Sequence, residues 1–340
     1  MIGYYVHHQG LGHVTRLQAI SAHLRAPVTG LSSLPRPDGW TQPWVRLERD
    51  DIGHLDVGHD PTAYGVLHWV PRHDEGLATR MATVTEWVRR ARPSLVVVDV
   101  SVEIAALVRL CGVPVVVVAM PGGRTDRAHG LAYDLADALL APWPDGAHTG
   151  GWPDEWRDKL WAVGALSRFD GLATVAPPSQ GRVLLLWGGG GRSTSAAEIV
   201  AARRATPGWD WVERGPDSPS LDLWAELAAA DVVVTHGGQN AVAEVAAARR
   251  PAVVVAQPRP FDEQIATAAA VERLGIAVGA ASWPKATAWP RLLDRARRIG
   301  GDGWARWSSG HGAASAASLL DELARHHGRH HASAPVDVVS

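Results

Sequence analysis

The residues best placed to do chemistry lie between Asp231 and Gln264. An apolar run from Asp231 to His236, mostly valine, has the composition of a buried strand. Gly237, Gly238, Gln239 and Asn240 then lead into a helical stretch over 241–249, which Pro251 stops. A second strand over 252–256 and a polar loop ending in Glu263 and Gln264 complete the unit. A strand that passes through paired glycines into a helix start is an anion site. Free backbone N–H groups and the positive end of the helix dipole converge there, and glycine lets a phosphate approach the main chain. Glu244, one turn into the helix, can accept bonds from sugar hydroxyls, and Glu263 and Gln264 offer further polar ends at the mouth of the next strand.

His236-Gly-Gly, Glu244 eight positions on, a Pro-bounded strand and Phe-Asp-Glu-Gln264 together resemble the nucleotide-sugar signature of inverting glycosyltransferases with the two-domain B-type fold. The pattern is shared by natural-product and plant small-molecule transferases and by the bacterial enzyme that completes the lipid-linked peptidoglycan precursor. The resemblance implies an α/β chain of two Rossmann-like domains facing each other across a cleft. It implies that His236, Gly237 and Gly238 hold a diphosphate, Glu244 the ribose, and Glu263 with Gln264 the hexose, with Gln239 and Asn240 also in the donor-binding set.

Gly12-His13, where a first short strand meets a first helix, resembles the family's catalytic position. The resemblance makes His13 the base that deprotonates the acceptor, a task suited to an imidazole near neutral pH. His7 and His8 are rivals, and strand alternation predicts that at most one of them faces the site. Asp99 ends an apolar run at 95–99, so it sits at the carboxyl edge of a central parallel strand. It resembles the acid that orients the catalytic histidine. A strand-end aspartate capping the next helix is the structural alternative.

A strand over 182–187 runs into Gly188–Gly191, Arg192 and Ser193, a loop able to wrap a diphosphate. In the family this loop faces the donor phosphates, so Gly189, Gly190, Arg192 and Ser193 join the donor set with Gly12. The edge at 213–216, including Arg214, is where the family holds the nucleobase. A dinucleotide reading of Gly10 and Gly12 fails because Thr15 stands where the third glycine belongs.

The chain has 340 residues, enough for two domains. Its net charge of −2 and lack of a basic run give no reason to expect a nucleic-acid partner. A single cysteine, Cys111, excludes an internal disulfide framework and suits a reducing compartment. The opening residues lack a basic and apolar leader, and no apolar run reaches membrane length, so a cytoplasmic protein is expected, with peripheral membrane contact left open.

Residues 33–76 read as irregular, with short strands over 44–47 and 66–70. His54, His59, His68 and His73 lack metal-ligand spacing, and Asp50-Asp51 reads as a solvated turn. Trp40, Trp44, Trp69, Trp143 and Trp152 offer indole faces to an acceptor, although the bulk missing from a phenylalanine-poor core explains them equally.

The expected organisation is an acceptor domain over 1–163, a connection over 164–180 and a nucleotide-sugar domain over 181–312. A helix over 313–327 follows, packing back on the first domain, and then a tail over 328–340. The expected function is metal-independent, inverting transfer of a hexose from a nucleotide sugar, UDP-linked first, to a small-molecule, glycan or lipid-linked acceptor. No cofactor is expected. A nucleotide-sugar 2-epimerase or hydrolase of the same fold, or a non-catalytic sugar-nucleotide binder, are the alternatives.

Overall fold

The computed structural model describes residues 1–10, 12–52, 60–173 and 181–332, the last four without side chains. His54, His59, the end of the expected connection and the tail from residue 333 lie outside the described residues.

Seven parallel strands form the first sheet: β1 Ile2–Val6, β2 Val28–Ser32, β3 Trp44–Arg46, β4 Leu95–Asp99, β5 Val115–Val118, β6 Ala138–Ala141 and β7 Leu160–Ala162. Their order is β3-β2-β1-β4-β5-β6-β7. The second sheet has five parallel strands: β8 Arg182–Leu186, β9 Asp210–Arg214, β10 Val232–His236, β11 Ala252–Val255 and β12 Val278–Ala280, in the order β12-β11-β10-β8-β9. Parallel sheets are covered on both faces, which is why their strands read as unbroken valine and leucine.

The helices are α1 Gly12–Ser21, α2 Glu75–Ala91, α3 Val102–Leu110, α4 Arg127–Leu135, α5 Asp154–Arg157, α6 Ala196–Ala205, α7 Leu223–Ala229, α8 Gln239–Ala247, α9 Glu263–Arg273, α10 Trp289–Ile299 and α11 Gly312–Ala332. Side chains start several of them: Asp74 accepts from the Leu77 amide, Ser101 from Ile104, and Ser195 and Glu198 form a reciprocal capping box.

In each sheet the chain direction reverses at one place, between β1 and β4 and between β8 and β10. Crevices at such points, beyond the carboxyl ends of the strands, are where open α/β sheets bind ligands. Val6 pairs in register with Asp99, so the β1–α1 turn and Asp99 emerge side by side. Thr235 pairs with Leu186, which sets the β8 glycine loop beside His236.

One core cluster runs from the first domain into the second, taking in Val102 and Trp143 together with Leu184, Val242 and Trp307. The small face of α11 (Ala313, Ala316, Ala317) packs with Leu17 and Ile20 of α1, and Asp321 accepts from the Arg25 and Ala26 amides at 2.9 and 3.0 Å. The last helix thus covers the first domain.

Several elements depart from expectation. Residues 66–70 are turn rather than strand, because the Glu103 carboxylate takes the His68 and Trp69 amides at 2.7 and 3.0 Å. Strand β7 is an unexpected last strand of the first domain, just before the expected connection. Helix α9 begins at Glu263, and α11 continues to Ala332, into residues read as tail. Trp40, Trp143 and Trp152 are core side chains, and Trp44 covers Gly30.

Candidate functional site

At the first switch point His13 Nδ1 lies 2.8 Å from Asp99 Oδ1. Asp99 is fully buried and receives both oxygens' worth of contact from Arg16, whose Nη1 stands 2.6 and 2.7 Å from Oδ1 and Oδ2. Burial pushes the carboxyl pKa up, but the Arg16 and His13 charges and hydrogen bonds outweigh it and hold it below the usual carboxylate range. The residue that follows, Val100, has φ of 65°, a left-handed conformation that a β-branched side chain rarely adopts. Strain of this kind gathers where a chain is held for function.

His7 and His8 do not split to opposite faces. Both lie beyond the end of β1, where alternation no longer applies, and their rings stack at 4.8 Å. They line a cavity of about 270 Å³ with Asp50, Asp51, His68 and Trp69. Of the five loop tryptophans considered, Trp69 alone lines it. His7 is held neutral, its pKa lowered to about 3 by burial and by the neighbouring His13 and His8. His8 Nε2 is 3.2 Å from Asp51, which Arg49 also holds, and Asp50 pairs with Arg80 at 3.0 Å. The aspartates are therefore braces of the cavity wall, not a solvated turn.

Two groups of potential metal ligands gather here, His8 with Asp50 and Asp51, and His68 with Asp126 and His129. Each already carries a cation or a committed proton. Arg124 Nη1 stands 3.0 Å from His129 Nε2, so Nε2 is the acceptor and Nδ1 donates to Asp126 at 2.5 Å.

At the second switch point His236 is wedged between glycines. A Cβ on Gly188 would lie 2.5 Å from its Nε2, and one on Gly238 would lie 2.4 Å from Cε1. Its Nδ1 accepts from the Gly238 amide at 3.0 Å and faces Gln264 Nε2 at 3.3 Å. Burial, and then the Arg259 charge, lower its pKa to about 4. The ring is therefore neutral at pH 7 with its proton on Nε2. Among the described residues, the buried nitrogens His236 Nε2, Gln239 Nε2 and Gln257 Nε2 have no hydrogen-bond partner. Buried donors in this state call for an acceptor.

Gly237 and Gly238 differ from expectation in one respect. Their amides are satisfied inside the protein, by Gln264 Oε1 at 3.2 Å and by His236. Gln264 is an internal brace. Its oxygen also takes the Gln257 amide at 3.1 Å, and the side chain is 3 % exposed. The amides lacking an intrahelical acceptor belong to the next residues, Gln239, Asn240 and Ala241, the first turn of α8.

The remaining donor-set residues surround this turn. Ser193 donates its amide to Gln257 Oε1 at 3.1 Å, which ties the Gly189–Gly190 loop to the loop that follows β11. Arg192 pairs with Glu213, and Arg214 is held by Glu226 with contacts of 2.9 Å, so neither cation lies over the loop. Arg259 does. It donates to the Gly190 carbonyl at 2.7 Å. Glu244 is largely buried against Arg168 at 2.9 Å, and its pKa is raised by burial against the pull of that charge. Glu263 meets Arg124 of the first domain at 3.1 Å.

The two switch points face each other. Arg16 Nη2 donates to Gln239 Oε1 at 2.6 Å, and a Cβ on Gly12 would lie 3.5 Å from the Asn240 amide nitrogen. Gly123 donates to the Phe261 carbonyl at 2.8 Å, and Gly122 must be glycine because a Cβ would stand 2.1 Å from that oxygen. Arg16 and Arg259 escaped the sequence reading. No local pattern marks a lone arginine whose partners lie 69 to 223 positions away.

Residues 221–282 match the glycosyltransferase family 28 C-terminal domain. No curated protein matches the chain in a sequence comparison. Among solved structures it is similar to MurG of Acinetobacter baumannii, at 14 % identity and TM-score 0.64 over 94 % of this chain and 99 % of that one. It is similar to the glycotransferase of kitacinnamycin, at 16 % identity and TM-score 0.62 over 95 % and 98 %. The spinosyn rhamnosyltransferase SpnG, solved with thymidine diphosphate, aligns at 18 % identity and TM-score 0.59 over 96 % of each chain.

The architecture is the two-domain B-type glycosyltransferase fold. With the family 28 C-terminal domain carried on β10, α8 and β11, the chain is a glycosyltransferase of that architecture. No described helix is long and apolar enough to cross a membrane.

Proposed function

We propose that the protein moves a hexose from a UDP-sugar to an acceptor hydroxyl, with inversion at the anomeric carbon and without a metal ion. The observation that carries this reading is the opposition of two sites. A base with an oriented ring, His13 on Asp99, stands on one sheet edge, and a set of buried N–H donors stands on the other, joined by Arg16 to Gln239.

Because His13 Nδ1 is directed to Asp99, Nε2 is left as the acceptor of a proton. It takes the acceptor's hydroxyl proton as that oxygen bonds to the anomeric carbon. The bond from that carbon to the diphosphate oxygen breaks, and the electron pair leaves with the nucleoside diphosphate. Asp99 holds the ring and stabilises the imidazolium that forms. Charge building on the diphosphate is met by His236 Nε2–H, the first-turn amides of α8 and the Arg259 guanidinium. Glu244 takes the ribose hydroxyls once Arg168 yields, and Glu263 the hexose. The cavity at His7, His8 and Trp69 receives the acceptor. A cytoplasmic setting, where nucleotide sugars are made, suits the single free Cys111.

The test is a transfer assay with UDP-, dTDP- and GDP-sugars against an acceptor panel, followed by product stereochemistry. His13→Ala is expected to lose turnover while donor binding survives. Full activity in that variant would remove His13 from the role, and abolition by chelator would overturn the metal-free scheme. Consumption of donor without acceptor would point to hydrolysis or epimerisation instead.

A further inference from the structure

We propose that Arg16 is a positioning residue that does two things at once: it tunes the basicity of the His13–Asp99 pair and it links that pair to the donor-binding turn. The proposal rests on the reading of His13 as the base. Arg16 is 5 % exposed, and its guanidinium is divided between the domains. One nitrogen contacts both Asp99 oxygens, and the other donates to Gln239 Oε1, 223 positions along the chain.

The first consequence is electrostatic. An aspartate alone beside a histidine stabilises the imidazolium and so delays the release of its proton as pH rises. Here the carboxylate is shared with a permanent cation, so the negative charge it offers the ring is weakened. Among the described residues the groups that face the pair are few. They are Tyr4 on β1, whose hydroxyl is near Asp99, His7 in the following loop, Arg16 on α1, and the neutral Gln239 and Asn240 on α8. His7 is held neutral, which leaves Arg16 as the one permanent charge among them.

The second consequence is positional. Gln239 is the first residue of α8, and its Nε2 is buried without a partner beside amides that face the donor. Arg16 fixes the carboxamide by its oxygen, so the nitrogen is turned away from Arg16. A donor that bonds to Gln239 Nε2 therefore pulls on the same guanidinium that holds Asp99. Lysine cannot replace this, because a single ammonium lacks the planar fork that serves two acceptors in fixed directions.

The test uses the full-length protein and three variants. Arg16→Gln is expected to move the acidic limb of the kcat/KM profile up by about one pH unit, a tenfold change in proton affinity. Gln239→Met leaves the Asp99 contact intact. It is expected to raise donor KM by about tenfold while the acidic limb stays in place. Arg16→Lys keeps the charge and is expected to show the KM effect with a smaller pH effect, which also covers the case in which Arg16→Gln does not fold. A readout independent of turnover is the titration of the His13 ring in 15N-histidine NMR spectra, assigned with His13→Gln. Its midpoint should rise in Arg16→Gln. An unmoved midpoint and limb in a folded Arg16→Gln would refute the tuning role, and an unchanged donor KM in a folded Arg16→Lys would refute the link. An unchanged donor KM in Gln239→Met would refute the link. If the NMR midpoint moves but no donor supports transfer, the tuning stands and the assigned reaction falls.

Discussion

Replacing Asp99 with asparagine separates the chemical role of this residue from its structural one. The substitution keeps size and burial and removes one charge from a fully buried pair. Breaking a buried pair by removing one partner leaves Arg16 uncompensated, at a cost of about 3–5 kcal/mol. For a chain of this size that lowers Tm by roughly 4–7 °C. Asparagine also presents an amide N–H to a ring whose Nδ1 already carries a proton, so the base is held wrongly or released. Turnover is expected to fall by roughly 10³ or more, in line with the loss of an orienting carboxylate in other His–Asp pairs. Adding Arg16→Gln to Asp99→Asn removes the stranded cation. The double variant should regain most of the lost Tm and none of the lost kcat. Differential scanning calorimetry and initial rates at 20 °C measure the two quantities side by side. The reasoning fails if folded Asp99→Asn keeps kcat within threefold of wild type, or if the double variant recovers turnover together with stability.

Further outcomes can be measured on the same material. Gly188→Ala puts a methyl group 2.5 Å from His236 Nε2, so donor affinity in calorimetric titrations should weaken at least tenfold while Tm changes little. Arg259→Ala should raise donor KM by about tenfold, the worth of one charge-assisted contact, with kcat nearly kept. Val100→Gly relieves a left-handed valine and should raise stability by about 1 kcal/mol in urea unfolding, at some loss of turnover if that strain aims Asp99. His148, buried between Trp143 and Trp307, has its pKa lowered from 6.5 to about 4 by burial. As pH falls from 6.5 toward 4 the unfolded chain takes a proton that the folded protein refuses, so stability is lost across that window. His148→Phe should remove that loss, about 2 kcal/mol at pH 5, and leave the variant closer to wild type at pH 8.

Much of the scaffold was legible because its signals are local. Valine runs such as 95–99, 115–118, 232–234 and 252–255 have the composition of buried parallel strands, and Pro93, Pro114 and Pro251 precede three of them. The glycine turn before α8 marked a candidate anion site for the same reason. What escaped depends on contacts between distant positions. Gly237 and Gly238 read as free main-chain donors, and only the fold brings Gln264 and the His236 ring back onto their amides. Arg192 and Arg214 read as phosphate or base contacts, yet Glu213 and Glu226 claim them, and the cation over the loop is Arg259. Asp50 and Asp51 read as exposed because nothing nearby in sequence predicts Arg80 or His8 beside them. The 66–70 stretch is apolar and aromatic like a short strand, but Glu103 captures the amides a neighbouring strand would need.

A crystal structure with UDP and a non-transferable sugar analogue bound tests the arrangement most directly. The expected result is a diphosphate oxygen about 3 Å from His236 Nε2 and from the first-turn amides of α8, with the anomeric carbon turned toward His13 Nε2. A diphosphate seated away from His236, or a His13 ring directed away from the sugar, would contradict it.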